Sequence, residues 1–138
     1  MELGPIQKEW IKSLREHPER QTTGHLGAKM GNGKDYKACC LGEGLCILRR
    51  LDGQDPLNFF EPGGRLLDNA EHNYLLSETA ERLGLHDGKG SLKGEVDSVE
   101  VRSHRLYSLS SANDTGMTWP EIADFIEKHP ESVFAKSV

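Results

Sequence analysis

Three cysteines, Cys39, Cys40 and Cys46, are the residues whose type best suits them to chemistry, and their spacing limits what they can do. A structural zinc site takes closely spaced Cys pairs together with a second pair of ligands. Here two cysteines are adjacent, the third lies six positions on, and no His pair stands near them. A redox couple takes Cys-x-x-Cys, which is absent. A nucleophilic cysteine takes a neighbouring base and a lowered thiol pKa, and no base is identifiable by spacing. The remaining reading is three small hydrophobic residues in a core. The histidines, His17, His25, His72, His86, His104 and His129, include no i, i+4 metal pair. His17 and His129 each precede Pro at a helix end, where a cation complements the helix dipole. No metal and no cofactor is expected.

Two other segments could hold a ligand. Gly27–Lys34 reads GAKMGNGK and invites comparison with a phosphate-binding P-loop. The comparison fails: the required first Gly is Ala28, and the Ser or Thr that should follow Lys34 is Asp35. What remains is a flexible loop, or a loop closing on an anion through Lys29 or Lys34. Asn113-Asp114-Thr115-Gly116 stands just before a predicted helix. These polar groups can set a turn through their own backbone. They can also converge with free helix N–H groups on a ligand. Asp114 would oppose a bare phosphate, so its expected partner is a donor on a ribose, a base or the backbone. The candidate ligand-binding residues are therefore Asn113, Asp114, Thr115 and Gly116, with Lys29 and Lys34. No paired carboxylates, nucleophile elbow or dinucleotide fingerprint is present; Gly42-Glu43-Gly44 lacks the third Gly.

The elements that must position these residues follow from periodicity. Residues 6–16 carry Ile6, Trp10, Ile11 and Leu14 on one helical face, with Pro5 at the start and His17-Pro18 at the end. Residues 18–37 form a long polar connection, expected as a flexible loop. Residues 38–51 place Leu41, Leu45 and Leu48 at helical spacing, although a buried strand competes. Gly42 and Gly44 weaken that helix and suggest close packing of another element. Tyr74–Leu76 suggests a short strand, and Ser77–Leu83 a short helix capped by Ser77. Glu95–Val101 reads as a strand, and Arg105–Ser110 as a second strand or a short helix. The last helix carries the strongest local signature, with Thr118 as N-cap, Glu121 as its capping-box partner and Pro120 in the first turn.

The 138 residues fit one domain, 1–138, and a composition 36% hydrophobic and 28% charged does not describe a disordered chain. The expected fold is a single small α+β domain. Three or four short helices should pack on a small antiparallel sheet from residues 92–110 and one nearby segment. The core should centre on Trp10, Leu41, Leu45, Leu48, Leu83, Ile122 and Ile126. No run reaches the roughly 18 apolar residues of a membrane span. Residues 1–17 lack the apolar core of a leader peptide, and the few, odd-numbered cysteines fit a reducing compartment, so a cytoplasmic location is expected. The net charge is −5, divided as +3 over residues 1–50 and −8 over 51–138. That balance argues against non-specific nucleic-acid binding, which takes clustered cations. It leaves two differently solvated faces, or an acidic surface that docks a basic partner or mimics nucleic acid.

Two segments carry a resemblance. CCLGEGLC at Cys39–Cys46 resembles the CCLG-x-LC block of a family of small proteins encoded by bacteriophages and prophages. NDTGMTWPEIADFIE at Asn113–Glu127 is similar to that family's closing block, LND-x-G-x-[ST]-[FW]-x-EIA-x-x-IE. Trp10–Arg15, Gln21-Thr22 and Leu83-Gly84-Leu85 fit its other landmarks. The chain departs from the pattern with an extra residue in Gly42-Glu43-Gly44-Leu45 and with Ser111-Ala112 before Asn-Asp. The family has no established activity, so the resemblance implies an origin more than a mechanism. The expectation it supports is a non-enzymatic, phage-derived binding protein of the host cytoplasm that neutralises a host defence factor. It would sequester a nucleotide-like ligand or dock on a host protein. The alternatives are a small cysteine-dependent enzyme and a structural or replication subunit.

Overall fold

The computed structural model describes residues 1–61 and 63–138. Among them the chain forms a single small α+β domain with six α-helices and two two-stranded antiparallel sheets. The helices are α1 (Pro5–Glu16), α2 (Cys40–Leu51), α3 (Ser77–Arg82), α4 (Leu109–Asp114), α5 (Trp119–Lys128) and α6 (Pro130–Val133). Strands β1 (Gly27–Lys29) and β2 (Tyr36–Ala38) pair as one hairpin, and β3 (Val99–Val101) and β4 (His104–Leu106) as the other.

Helices carry the core. The apolar face of α1 packs against α2 and α5, because Trp10, Ile11 and Leu14 recur at helical spacing and are all buried. Gln7 closes the start of α1: its Oε1 accepts from the Gly4 N–H at 3.0 Å. Its Nε2 donates to the carbonyls of Leu83 and Lys136, which fastens α1 to the end of α3 and to the C-terminus. All seven expected core residues are buried, from Trp10 to Ile126. Two glycines of α2 stand where other elements press on the helix. A Cβ on Gly42 would collide with the Leu26 carbonyl, and one on Gly44 would lie 2.9 Å from Leu83 and 3.2 Å from Trp10. The competition between helix and strand over 38–51 resolves to helix because these contacts favour a small-residue helical face.

Several local expectations differ from what is found. The sheet region 92–110 contributes only the β3–β4 hairpin, and its continuation, Leu109–Asp114, is helix α4. Ser108 caps it, its Oγ accepting from the Ser111 N–H at 3.1 Å. The second hairpin, Gly27–Ala38, lies almost wholly in 18–37, the segment expected as a loop. That segment also holds a short 3₁₀ turn, Pro18–Arg20, and Gln21 bridges in parallel to Ala38. Tyr74–Leu76 is irregular rather than a strand. Ser77 is the first helical residue of α3 rather than its cap, which is Leu76 without a side-chain bond. The α5 capping box is as the sequence implies: Thr118 Oγ1 accepts from the Glu121 N–H, and Glu121 Oε1 accepts from the Thr118 N–H. Among the described residues, no helix is long and apolar enough to cross a membrane.

Candidate functional site

Asn113 lies in the last turn of α4 with no exposed surface. Its Oδ1 accepts three hydrogen bonds, from Gln21 Nε2 at 3.1 Å, the Cys40 backbone N–H at 3.1 Å and Trp119 Nε1 at 3.2 Å. Its Nδ2 donates to the Thr22 carbonyl at 2.8 Å and to Asp114 Oδ1 at 3.3 Å. The Cys40 N–H is the first of α2, so Asn113 caps a helix remote in sequence. An amide has two donors and one two-lone-pair acceptor, and here every one is committed inside the protein. Asp114 is exposed and its Oδ1 also accepts from the Gly24 N–H at 3.1 Å. Thr115 ends α4, and Gly116 turns the chain at φ 113° with the Arg102 guanidinium packed against it. Lys29 ends β1, and Lys34 sits in the hairpin loop with its N–H on Asn32 Oδ1. Among the described residues, no hydrogen bond or ion pair joins either lysine to 113–116. The structure therefore gathers Asn113 and Asp114 around the Thr22–Gly24 strap and leaves Lys29 and Lys34 on a separate hairpin.

The cysteines sit at the start and middle of α2, and all three are free and buried. Cys39 is the helix N-cap, its sulfur accepting from the Gly42 N–H at 3.4 Å. Burial pushes the Cys39 thiol up to about 11 and the Cys46 thiol up to about 12. It raises Cys40 well above the ordinary value as well. A thiol that resists ionisation is a poor nucleophile near neutrality. Among the described residues, no group of three or more His, Cys, Asp or Glu is gathered closely enough to hold a metal ion.

A second polar cluster was not marked out by any motif. Glu43, in the first turn of α2, is completely buried. Its Oε1 accepts from the Tyr36 hydroxyl at 2.5 Å and lies 3.6 Å from Arg50 Nη1. Its Oε2 lies 3.4 Å from Arg20 Nη1. Arg50 Nη2 also donates to the Tyr36 oxygen at 2.6 Å. The two guanidiniums stand 5.0 Å and 5.5 Å from the centre of the Tyr36 ring, within cation–π range. Local structure explains the gathering. Tyr36 faces inward in β2 while Lys37 faces out. Arg50 follows Glu43 by seven residues, two helical turns, so both share a face of α2. Burial above all, then Cys46 and Glu43 nearby, pushes the Tyr36 phenol up. Tyr36 is therefore a fixed donor and not a base. The sequence did carry one signal for this cluster: Glu43 is the lone charge within the dense apolar run from Ala38 to Leu48.

Arg20 and Tyr36 of this cluster line a surface groove of about 500 Å³, together with His17, Glu19, Met30, Asp35 and Lys37. Arg20 uses only Nη1 in its contacts to Tyr36 and Glu43. Glu19 is engaged by His17 at 3.3 Å. Compared with known proteins, the chain matches no protein-family model, no curated protein and no solved structure.

Proposed function

We propose that this chain is a non-enzymatic binding protein of phage or prophage origin that neutralises a host defence factor by sequestering a nucleotide-like ligand. The origin rests on the resemblance of Cys39–Cys46 and Asn113–Glu127 to the phage family blocks. The observation that carries the non-enzymatic reading is the commitment of the reactive groups to the fold. All three thiols are buried with their pKa raised, and Tyr36 is held as a donor to Glu43. What the surface offers is a groove, lined mainly by ionisable residues, of the size that small molecules occupy. Docking of the acidic face on a basic host protein is the weaker form. Glu81, Asp124, Glu127 and Glu131 already pair with Lys136, Arg15 and the N-terminal ammonium, which lowers the charge available to a partner.

A thermal-shift panel of linear and cyclic nucleotides tests the reading. A ligand at about 100 times its Kd stabilises by about 2.7 kcal/mol, or roughly 10 °C for a domain of this size. A shift with one class of nucleotide supports sequestration. An unmoved Tm across the panel overturns it and leaves docking, whose signature is a salt-sensitive pull-down.

A further inference from the structure

We propose that the groove between His17–Arg20 and Asp35–Lys37 is the ligand site, and that it takes a small phosphomonoester that also carries hydrogen-bond donors. This rests on the sequestration reading above and relocates its site away from Asn113–Gly116. Glu43 brings one negative charge to two guanidiniums, and its Oε1 is already served by Tyr36 at 2.5 Å and faced by Arg50 at 3.6 Å. Arg20 touches the carboxylate at only 3.4 Å and the Tyr36 oxygen at 3.5 Å. It is the more loosely engaged of the two cations, held in place over the Tyr36 ring and partly exposed at 25%.

Both Arg20 bonds come from Nη1, so Nε and Nη2 have no protein partner among the described residues. A guanidinium with donors to spare suits an oxyanion. Lys37 lines the same groove, is exposed and is in no ion pair among the described residues, so it adds a second positive charge.

Glu19 and Asp35 stand in the groove with the cations, and two carboxylates oppose a bare polyanion. They favour a ligand that offers N–H or O–H donors beside its phosphate. Met30, 41% exposed, gives the same groove an apolar wall. Within the nucleotide-like class proposed above, a nucleoside monophosphate meets all of these.

Amide and arginine side-chain NMR spectra of the whole chain, titrated with AMP, adenosine and inorganic phosphate to about 10 mM, test this. AMP should shift the Arg20 Nε–H and the Tyr36 and Lys37 amides, and should bind tighter than either fragment. Arg20→Gln should weaken AMP by about tenfold or more. Lys37→Gln, at an exposed position that cannot disturb the core, should weaken it several-fold. Asp114→Ala and Lys34→Gln should leave it unchanged. Shifts at Asn113–Gly116, Lys29 and Lys34 that survive Lys37→Gln would overturn this site and leave sequestration standing. No shift with any of the three probes overturns this site, and an unmoved Tm across the wider nucleotide panel removes sequestration too.

Discussion

The Tyr36 hydroxyl donates to Glu43 Oε1 across 2.5 Å, at a carboxylate with no exposed surface. The pair joins β2 to α2 and sets where Arg20 and Arg50 stand. Removing one partner of a buried polar pair costs more than the pair contributes, because the other partner is left buried. Tyr36→Phe should destabilise by about 1–3 kcal/mol. Glu43→Ala should cost about 2–4 kcal/mol, less than a fully buried ion pair because both arginines reach solvent. Urea midpoints measure both. Unchanged midpoints would show that the cluster does not support the fold.

Asn113 gives a second, independent prediction. Asn113→Ala strips an acceptor from two buried donors, the Cys40 N–H and Trp119 Nε1, and from the half-buried Gln21 Nε2, and should cost about 2–4 kcal/mol. Asn113→Asp keeps that acceptor but turns an oxygen on the Thr22 carbonyl and buries a carboxylate beside Asp114, so it should cost about as much and lose more stability as the pH rises through the carboxylate range. The contrary outcome is informative. If Asn113→Ala abolishes nucleotide binding while its urea midpoint stays at the wild-type value, the amide serves a ligand and not the fold.

Local signals in the sequence reached α1, α2, α3 and α5 and the centre of the core, but not α4 or α6. The α5 capping box, the Pro5 start and the spacing of Trp10, Leu14, Leu41, Leu45 and Leu48 depend on neighbours within a few turns, so they are readable in one dimension. Gly42 and Gly44 even announced close packing, though not that Leu26, Trp10 and Leu83 would do it. The polar sites were less legible because they are non-local. Asn113 has the composition of a turn, and only the fold brings it to Gln21, Cys40 and Trp119. Arg20, Tyr36 and Glu43 come from three separate elements, and nothing in their spacing pairs them. The β1–β2 hairpin was hidden because its strands are three residues long and set among glycines and lysines.

The buried thiols make stability fall at high pH. In the unfolded chain they ionise near 9, whereas in the folded chain Cys39 keeps its proton to about 11 and Cys46 to about 12. Below pH 9 both states are protonated and this contribution is fully present. Above it the unfolded chain releases protons that the folded chain retains. Stability then drops by about 1.4 kcal/mol per pH unit for each thiol until its folded pKa is reached. Urea midpoints on either side of pH 9 check this. Alkylation of the native protein at neutral pH should be slow and should speed up with denaturant. Rapid labelling of one thiol without denaturant would revive the cysteine-enzyme alternative.

The β3–β4 turn is built from two residues that resist it. Arg102 has φ 50° and Ser103 φ 67°, and the two-residue connection between Val101 and His104 matches a turn usually made by Asn-Gly. A non-glycine residue held at positive φ costs on the order of 1 kcal/mol. Arg102 has a compensating role, since its guanidinium packs on Gly116, but Ser103 is exposed and its side chain makes no hydrogen bond among the described residues. Ser103→Gly should therefore stabilise by about 0.5–1 kcal/mol and raise Tm by a few degrees. Gly116→Ala should do the reverse, because φ 113° strains alanine and its Cβ would lie 2.8 Å from Arg102. If Ser103→Gly lowers Tm, the added freedom of the unfolded chain outweighs the relieved strain, and the hairpin tip is held by contacts other than the Arg102–Gly116 packing.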